Sequence, residues 1–161
     1  MKGVFVYSTK VLRFIDDKGI TLVSYHADSY VRNELNGERK IGIPGEVEYS
    51  VTKFGTNGKP YMPRPFPIGE WRIVGKAASI NKFMQPLKFL TDAHQTVKVW
   101  EVGPEGYVKE TDEETEDYGY HIHFDNGSVH SDGCCTTLLE LIQWMDHNLK
   151  TPCPFSVKES E

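Results

Sequence analysis

His121-Ile122-His123-Phe124-Asp125-Asn126-Gly127-Ser128-Val129-His130-Ser131-Asp132-Gly133-Cys134-Cys135-Thr136-Thr137 is the stretch on which the rest of the chain turns. It opens as the end of a strand-like run, Tyr118-Gly119-Tyr120-His121-Ile122-His123-Phe124, rich in aromatic and β-branched residues. It then crosses a loop of Asp, Asn, Gly and Ser. It ends at the start of a helix. Thr137-Leu138-Leu139-Glu140 has the form of a capping box, with Glu three residues after Thr. Leu138, Leu141, Ile142, Met145 and Leu149 follow at helical spacing, and Pro152 and Pro154 stop the pattern. This is the one long helix that the sequence supports.

Working outward toward the N-terminus, the pattern is that of strands. Residues 3–7 and 11–15 are short β-branched and aromatic runs, Asp16-Asp17-Lys18-Gly19 is a turn, and 20–25 alternates as a strand does. Residues 71–74 and 96–102 are further strands, the latter closed by the turn Gly103-Pro104-Glu105-Gly106. Residues 32–67 read as a long irregular stretch with one strand near 47–51, and 81–90 as a short helix broken at Pro86. The acidic run Glu110-Thr111-Asp112-Glu113-Glu114-Thr115-Glu116-Asp117 reads as a solvated loop, with a metal- or partner-binding loop as the sharper alternative. No repeat and no linker divides the chain. One domain over 1–161, mostly β with a C-terminal helix, is the expected architecture.

Composition agrees. With 161 residues, 39% hydrophobic, 14 Gly and 9 Pro, the chain is globular and turn-rich, which excludes a disordered tail, a collagen and a coiled coil. Lys and Arg total 18 against 23 Asp and Glu, so the formal charge of −5 offers nothing to a nucleic-acid backbone. No apolar run approaches the ~20 residues of a membrane helix. The first ten residues, Met1-Lys2-Gly3-Val4-Phe5-Val6-Tyr7-Ser8-Thr9-Lys10, are broken by polar groups too early for a signal-peptide core. A cytoplasmic protein, a trimmed mature form and delivery by another route all fit. Three cysteines, Cys134, Cys135 and Cys153, do not make a disulfide framework.

The chemistry-bearing groups crowd into the opening stretch. Cys134 lies three residues before the expected N-cap, where a helix dipole would lower a thiol pKa. Gly133 permits unusual backbone geometry beside it. His121 and His123 sit at i and i+2 on a strand and face one side. Three readings stay open. Cys134 can be a nucleophile with a histidine base. His121, His123 and a cysteine can ligate zinc. Or the cysteines are small buried apolar groups and the histidines ordinary strand residues.

Ser131-Asp132-Gly133-Cys134 resembles the Ser-x-Gly-Cys signature of L,D-transpeptidases of the YkuD type. Ile122-His123-Phe124-Asp125-Asn126-Gly127 is similar to the upstream hydrophobic-His element of divergent and phage-associated members, and Pro67-Ile68-Gly69-Glu70-Trp71-Arg72-Ile73 to the segment that precedes a family strand. The opening meander, with Leu12-Arg13-Phe14 and a second strand after Gly19, follows the same order. Asp132 stands where the common signature has His, and Cys135 and Thr136 follow where an apolar residue and Arg or Asn are usual. The resemblance implies an L,D-transpeptidase-like β-sandwich with one C-terminal α-helix. It implies a cysteine acyl-transfer enzyme acting on peptidoglycan stem peptides, as L,D-transpeptidase or L,D-carboxypeptidase, without a cofactor. Cys134 would be the nucleophile and His123 its base, with Gly133 and Cys134 supplying oxyanion N–H groups and Ser131 completing the signature. His121, Asp125 and Asp132 would support them. The periplasm or cell wall would be the place of action, with an immunity or delivery protein as a further partner in an effector-like branch. A catalytically silent domain that binds cell-wall peptide or another protein is the competing class.

Overall fold

The N-terminal hairpin shows how local chemistry starts the fold. The computed structural model describes residues 1–31, 53–54, 58–61, 64–78, 87–102, 108–124 and 132–161. β1 (Lys2–Val6) and β2 (Val11–Ile15) pair antiparallel, and β2 turns into β3 (Thr21–Val31). Asp16 builds that turn: its Oδ1 accepts from the N–H groups of Lys18 and Ile20, both at 2.9 Å. Gly19 takes the left-handed conformation, φ +81, that the turn requires.

The remaining strands are β4 (Lys53–Phe54), β5 (Pro60–Tyr61), β6 (Gly69–Ala78), β7 (Leu87–Thr91), β8 (Gln95–Val102), β9 (Val108–Asp117), β10 (His121–Phe124), β11 (Asp132–Thr137) and β12 (Cys153–Lys158). Among the described residues a single helix, α1 (Leu139–Asn148), lies between β11 and β12. Eight strands close into a barrel in the order β1-β12-β6-β7-β10-β11-β3-β2. The pairs β1–β12 and β10–β11 are parallel and the other six antiparallel. The expected mostly β architecture with one helix is therefore present, but the sandwich is not: the sheet curls until its edges meet, which leaves no edge in that layer. A second sheet, β4-β5-β8-β9, is built on the β8–β9 hairpin, which leaves the barrel after β7 and returns at β10.

Two local expectations are corrected. Residues 87–91 form β7, not the end of a broken helix, because Phe89 joins the barrel core between β6 and β10; residues 79–86 lie outside the described set. The acidic run is strand β9 and not a loop. Pairing with β8 supplies its backbone hydrogen bonds while most of its carboxylates remain in water. Of the irregular stretch 32–67, only 53–54, 58–61 and 64–67 are described, and the strand expected near 47–51 falls outside.

The barrel interior is packed with Phe5, Leu12, Phe14, Ile73, Phe89, Ile122 and Phe155, all buried. The strand directions give it two distinct ends. At one, β11 runs out into α1, whose Leu141, Ile142 and Met145 are buried in the core, with Trp144 against Phe14 at 5.4 Å. At the other lie the ends of β1, β3, β7 and β12 and the starts of β6, β10 and β11. We call this second end the mouth.

Candidate functional site

The mouth is closed by segment 64–68, which crosses it as a strap. Phe66 is its plug, nearly fully buried, with its ring 5.4 Å from Tyr120 and 5.5 Å from Phe155. Backbone hydrogen-bonding groups that enter a core need partners, and here side chains supply them. The Tyr7 hydroxyl donates to the Phe66 carbonyl at 2.6 Å. The buried Ser29 Oγ accepts from the Phe66 N–H at 2.8 Å and donates to the Gly133 carbonyl at 2.9 Å. Trp71 Nε1 donates to the Pro67 carbonyl at 2.8 Å. Gly133 has φ +95, and a Cβ on it would lie 1.8 Å from the Arg64 carbonyl oxygen. Only glycine allows the strap and β11 to touch this closely.

Next to Gly133, Cys134 is half-buried at the start of β11 and Cys135 is fully buried in the core. The parallel register pairs Ile122 with Cys135 and His123 with Thr136. Ile122 and Cys135 face inward, so His121 and His123, on either side of Ile122, point the other way; β11 is irregular between Asp132 and Cys135, so the alternation does not carry through Cys134. His123 Nδ1 is 2.9 Å from the Phe124 carbonyl, so the tautomer protonated at Nδ1 makes a hydrogen bond there. Cys134 Sγ lies 3.8 Å from the Gly119 carbonyl, toward which a protonated thiol donates. Burial raises the Cys135 thiol pKa well above its usual 9.0.

The expected helix-dipole activation of Cys134 is corrected by this geometry. Thr137 is the last residue of β11, its hydroxyl donates to the His26 carbonyl at 2.8 Å, and Leu138 is the N-cap with no side-chain bond. Pairing with β3 thus takes the hydroxyl that a capping box would need. Cys134 is about 10 Å of strand away from the helix start, beyond the first turn within which a dipole acts. Ser131, Asp125 and His130 lie outside the described residues, and Asp132 is placed only by its backbone, opposite Val31.

A second set of groups gave no signal in the sequence. Asp117 is fully buried although it ends an acidic, solvated run. Its Oδ1 accepts from the Tyr61 hydroxyl at 2.9 Å and its Oδ2 from the Tyr120 hydroxyl at 2.5 Å. Burial first, then the Asp117 charge, pushes the Tyr120 phenol strongly upward from its usual 10.0. Gln95 Nε2 donates both to the Tyr120 oxygen and to the Pro65 carbonyl. A cavity of about 350 Å³ opens over the strap, lined by Tyr7, Arg64, Pro65, Pro67, Ile68 and Gln95 together with Phe66. A spacing pattern cannot reveal this set, because its members come from the turn after β1, the strap, β5, β8, the end of β9 and the β9–β10 connection.

Among the described residues, no group of three or more His, Cys, Asp or Glu is gathered as metal ligands, so the zinc reading gains nothing from the geometry. Among the described residues, no helix is long and apolar enough to cross a membrane. Comparison with family models, with curated proteins and with solved structures finds no match to the chain.

Proposed function

We propose that the protein is a cysteine acyl-transfer enzyme that acts on peptidoglycan stem peptides, as the motif resemblance implies. The observation that supports the reading is the parallel β10–β11 pair, which sets the strand carrying His121 and His123 beside the strand carrying Cys134 at the mouth. His123 takes the Cys134 proton at Nε2, its ring held by the Phe124 carbonyl. The thiolate attacks a peptide carbonyl carbon, the C–N bond breaks, and the imidazolium returns the proton to the departing amine. An amine or water then attacks the thioester, which regenerates the thiol and completes transpeptidation or carboxypeptidase cleavage. The N–H groups of Gly133 and Cys134 are the proposed oxyanion donors. On this reading the protein works in the periplasm or cell wall, with an immunity or delivery protein as a further partner.

Mass spectrometry of muropeptides incubated with the protein tests the proposal. Wild type should shorten or exchange stem peptides, Cys134→Ala should not, and His123→Ala should be slower by about 10²–10⁴-fold. A normal rate in His123→Ala with loss in His121→Ala transfers the base to His121. Identical products from wild type and Cys134→Ala would refute acyl transfer. That result would favour the silent peptide-binding domain, a reading supported by the Gly119 carbonyl, which stabilises a neutral thiol.

A further inference from the structure

Proton counting along the buried network sets the polarity of the mouth cavity. As drawn by its contacts, the Asp117 carboxylate accepts, so both tyrosine hydroxyls spend their protons on it. The raised pKa of Tyr120 keeps that phenol protonated and donating throughout the neutral range. The Tyr120 oxygen can then only accept, and Gln95 supplies the proton from its amide nitrogen. The second amide proton goes to the Pro65 carbonyl at 3.1 Å. This fixes which way the Gln95 amide is turned. Both donors face the protein, and the side-chain oxygen is the group left to a ligand.

Among the described residues that line the cavity, Arg64 is the cation. Among the described residues, no carboxylate forms an ion pair with it. Glu110 and Glu114 line an adjoining hollow with Arg64 and Lys98, but Glu114 pairs with Lys98, at 3.3 Å. Pro65, Pro67 and Ile68 provide apolar walls. A ligand that satisfies this lining carries an anion with bidentate geometry, an N–H donor nearby and a small apolar group. The C-terminal residue of a peptide has all three.

We infer that the mouth cavity is a subsite for the free carboxylate end of a peptide, with Arg64 binding the carboxylate and the Gln95 oxygen accepting the backbone N–H. The carbonyl of Arg64 lies against Gly133, the residue before Cys134, so the subsite adjoins the proposed nucleophile. The choice of a cell-wall stem peptide as ligand rests on the acyl-transfer reading; the preference for a carboxylate rests on the cavity alone.

Calorimetric titration of the Cys134→Ala protein separates the two. The probes are a stem tetrapeptide with a free C-terminal carboxylate and the same peptide as its C-terminal amide. The carboxylate form should bind about 10–100-fold more tightly, as expected for a charge-assisted bidentate contact. Arg64→Gln should abolish that difference while leaving the circular dichroism spectrum and melting temperature unchanged. Arg64→Lys should restore part of it, because a point charge keeps the attraction but not the fork. Equal affinity for the two peptides, no binding of either, or a preference that survives Arg64→Gln would overturn the subsite. A carboxylate preference in a protein that turns over no muropeptide would uphold the subsite and remove the acyl-transfer reading instead.

Discussion

At the helical end of the barrel, Leu141, Ile142 and Met145 fill the opening with side chains that form no hydrogen bonds. At the mouth, segment 64–68 inserts one ring, Phe66, and is tied down by Tyr7, Ser29, Trp71 and Gln95. The first closure depends on area and volume, which several side-chain arrangements can satisfy. The second depends on direction, since each hydrogen bond fixes an atom in place. A site that must hold a thiol and a carbonyl in register needs the second kind of closure. The directional end is also where Cys134, Gly133 and the Arg64 cavity meet.

The comparison breaks most sharply at Gly133. Gly133→Ala adds one methyl group 1.8 Å from a backbone oxygen at φ +95, and should cost about 3–5 kcal/mol by urea denaturation. Ile142→Ala, at the other end, removes three carbons for about 2–5 kcal/mol. Adding one carbon at the mouth should thus cost at least as much as deleting three at the helix. If Gly133→Ala loses less than about 1 kcal/mol, the strap is not held by close contact and the contrast fails.

Raising the pH should test the buried hydrogen-bonding and thiol groups without any mutation. The folded-state pKa values of Cys135, Cys153 and Tyr120 are all raised, chiefly by burial, from 9.0, 9.0 and 10.0. Each group is neutral when protonated, so its contribution is fully present below the unfolded pKa. Above about pH 9 the unfolded chain releases protons that the folded one retains, and stability falls. For Cys135 alone the slope approaches about 1.4 kcal/mol per pH unit. Urea midpoints at pH 7.5, 9 and 10 should decline in that order, and Cys135→Ala should flatten the decline.

The smallest effect belongs to the outside of the helical end. Lys76 Nζ and Asp146 Oδ1, 2.6 Å apart, join β6 to α1 through two exposed side chains. Asp146→Asn should change stability by less than about 0.5 kcal/mol. A larger loss would mean that the helical plug relies on a specific polar tie, as the mouth does.

What was legible in the sequence follows the same division. The strands at 3–7, 11–15, 71–74 and 96–102 and the helix were readable because each is a local pattern of apolar residues. The alternation of His121, Ile122 and His123 showed which side chains share a face. Closure into a barrel was not readable, because parallel pairing of β1 with β12 leaves no mark in either segment. Thr137 looked like a helix cap because its neighbours fit that motif, yet the carbonyl it serves, that of His26, is supplied by a strand far away in the chain. Cys153–Lys158 was hidden by the helix-stopping appearance of Pro152 and Pro154, and Asp117 by the five exposed acidic residues that precede it in β9. Each miss concerns at least one partner that is distant in sequence.

The β1–β12 pairing has a kinetic side. It joins residues 3–6 to residues 155–158 in parallel register, and every other strand of the barrel lies between them along the chain. During synthesis the first strand therefore waits for almost all of the remaining sequence before its second edge is covered. The β1–β2–β3 meander can form early, since its contacts are local, but it presents an open flank until the last strand arrives. Such long-range closure slows folding and prolongs exposure of a sticky edge, a burden that falls on nascent-chain handling and not on the finished molecule.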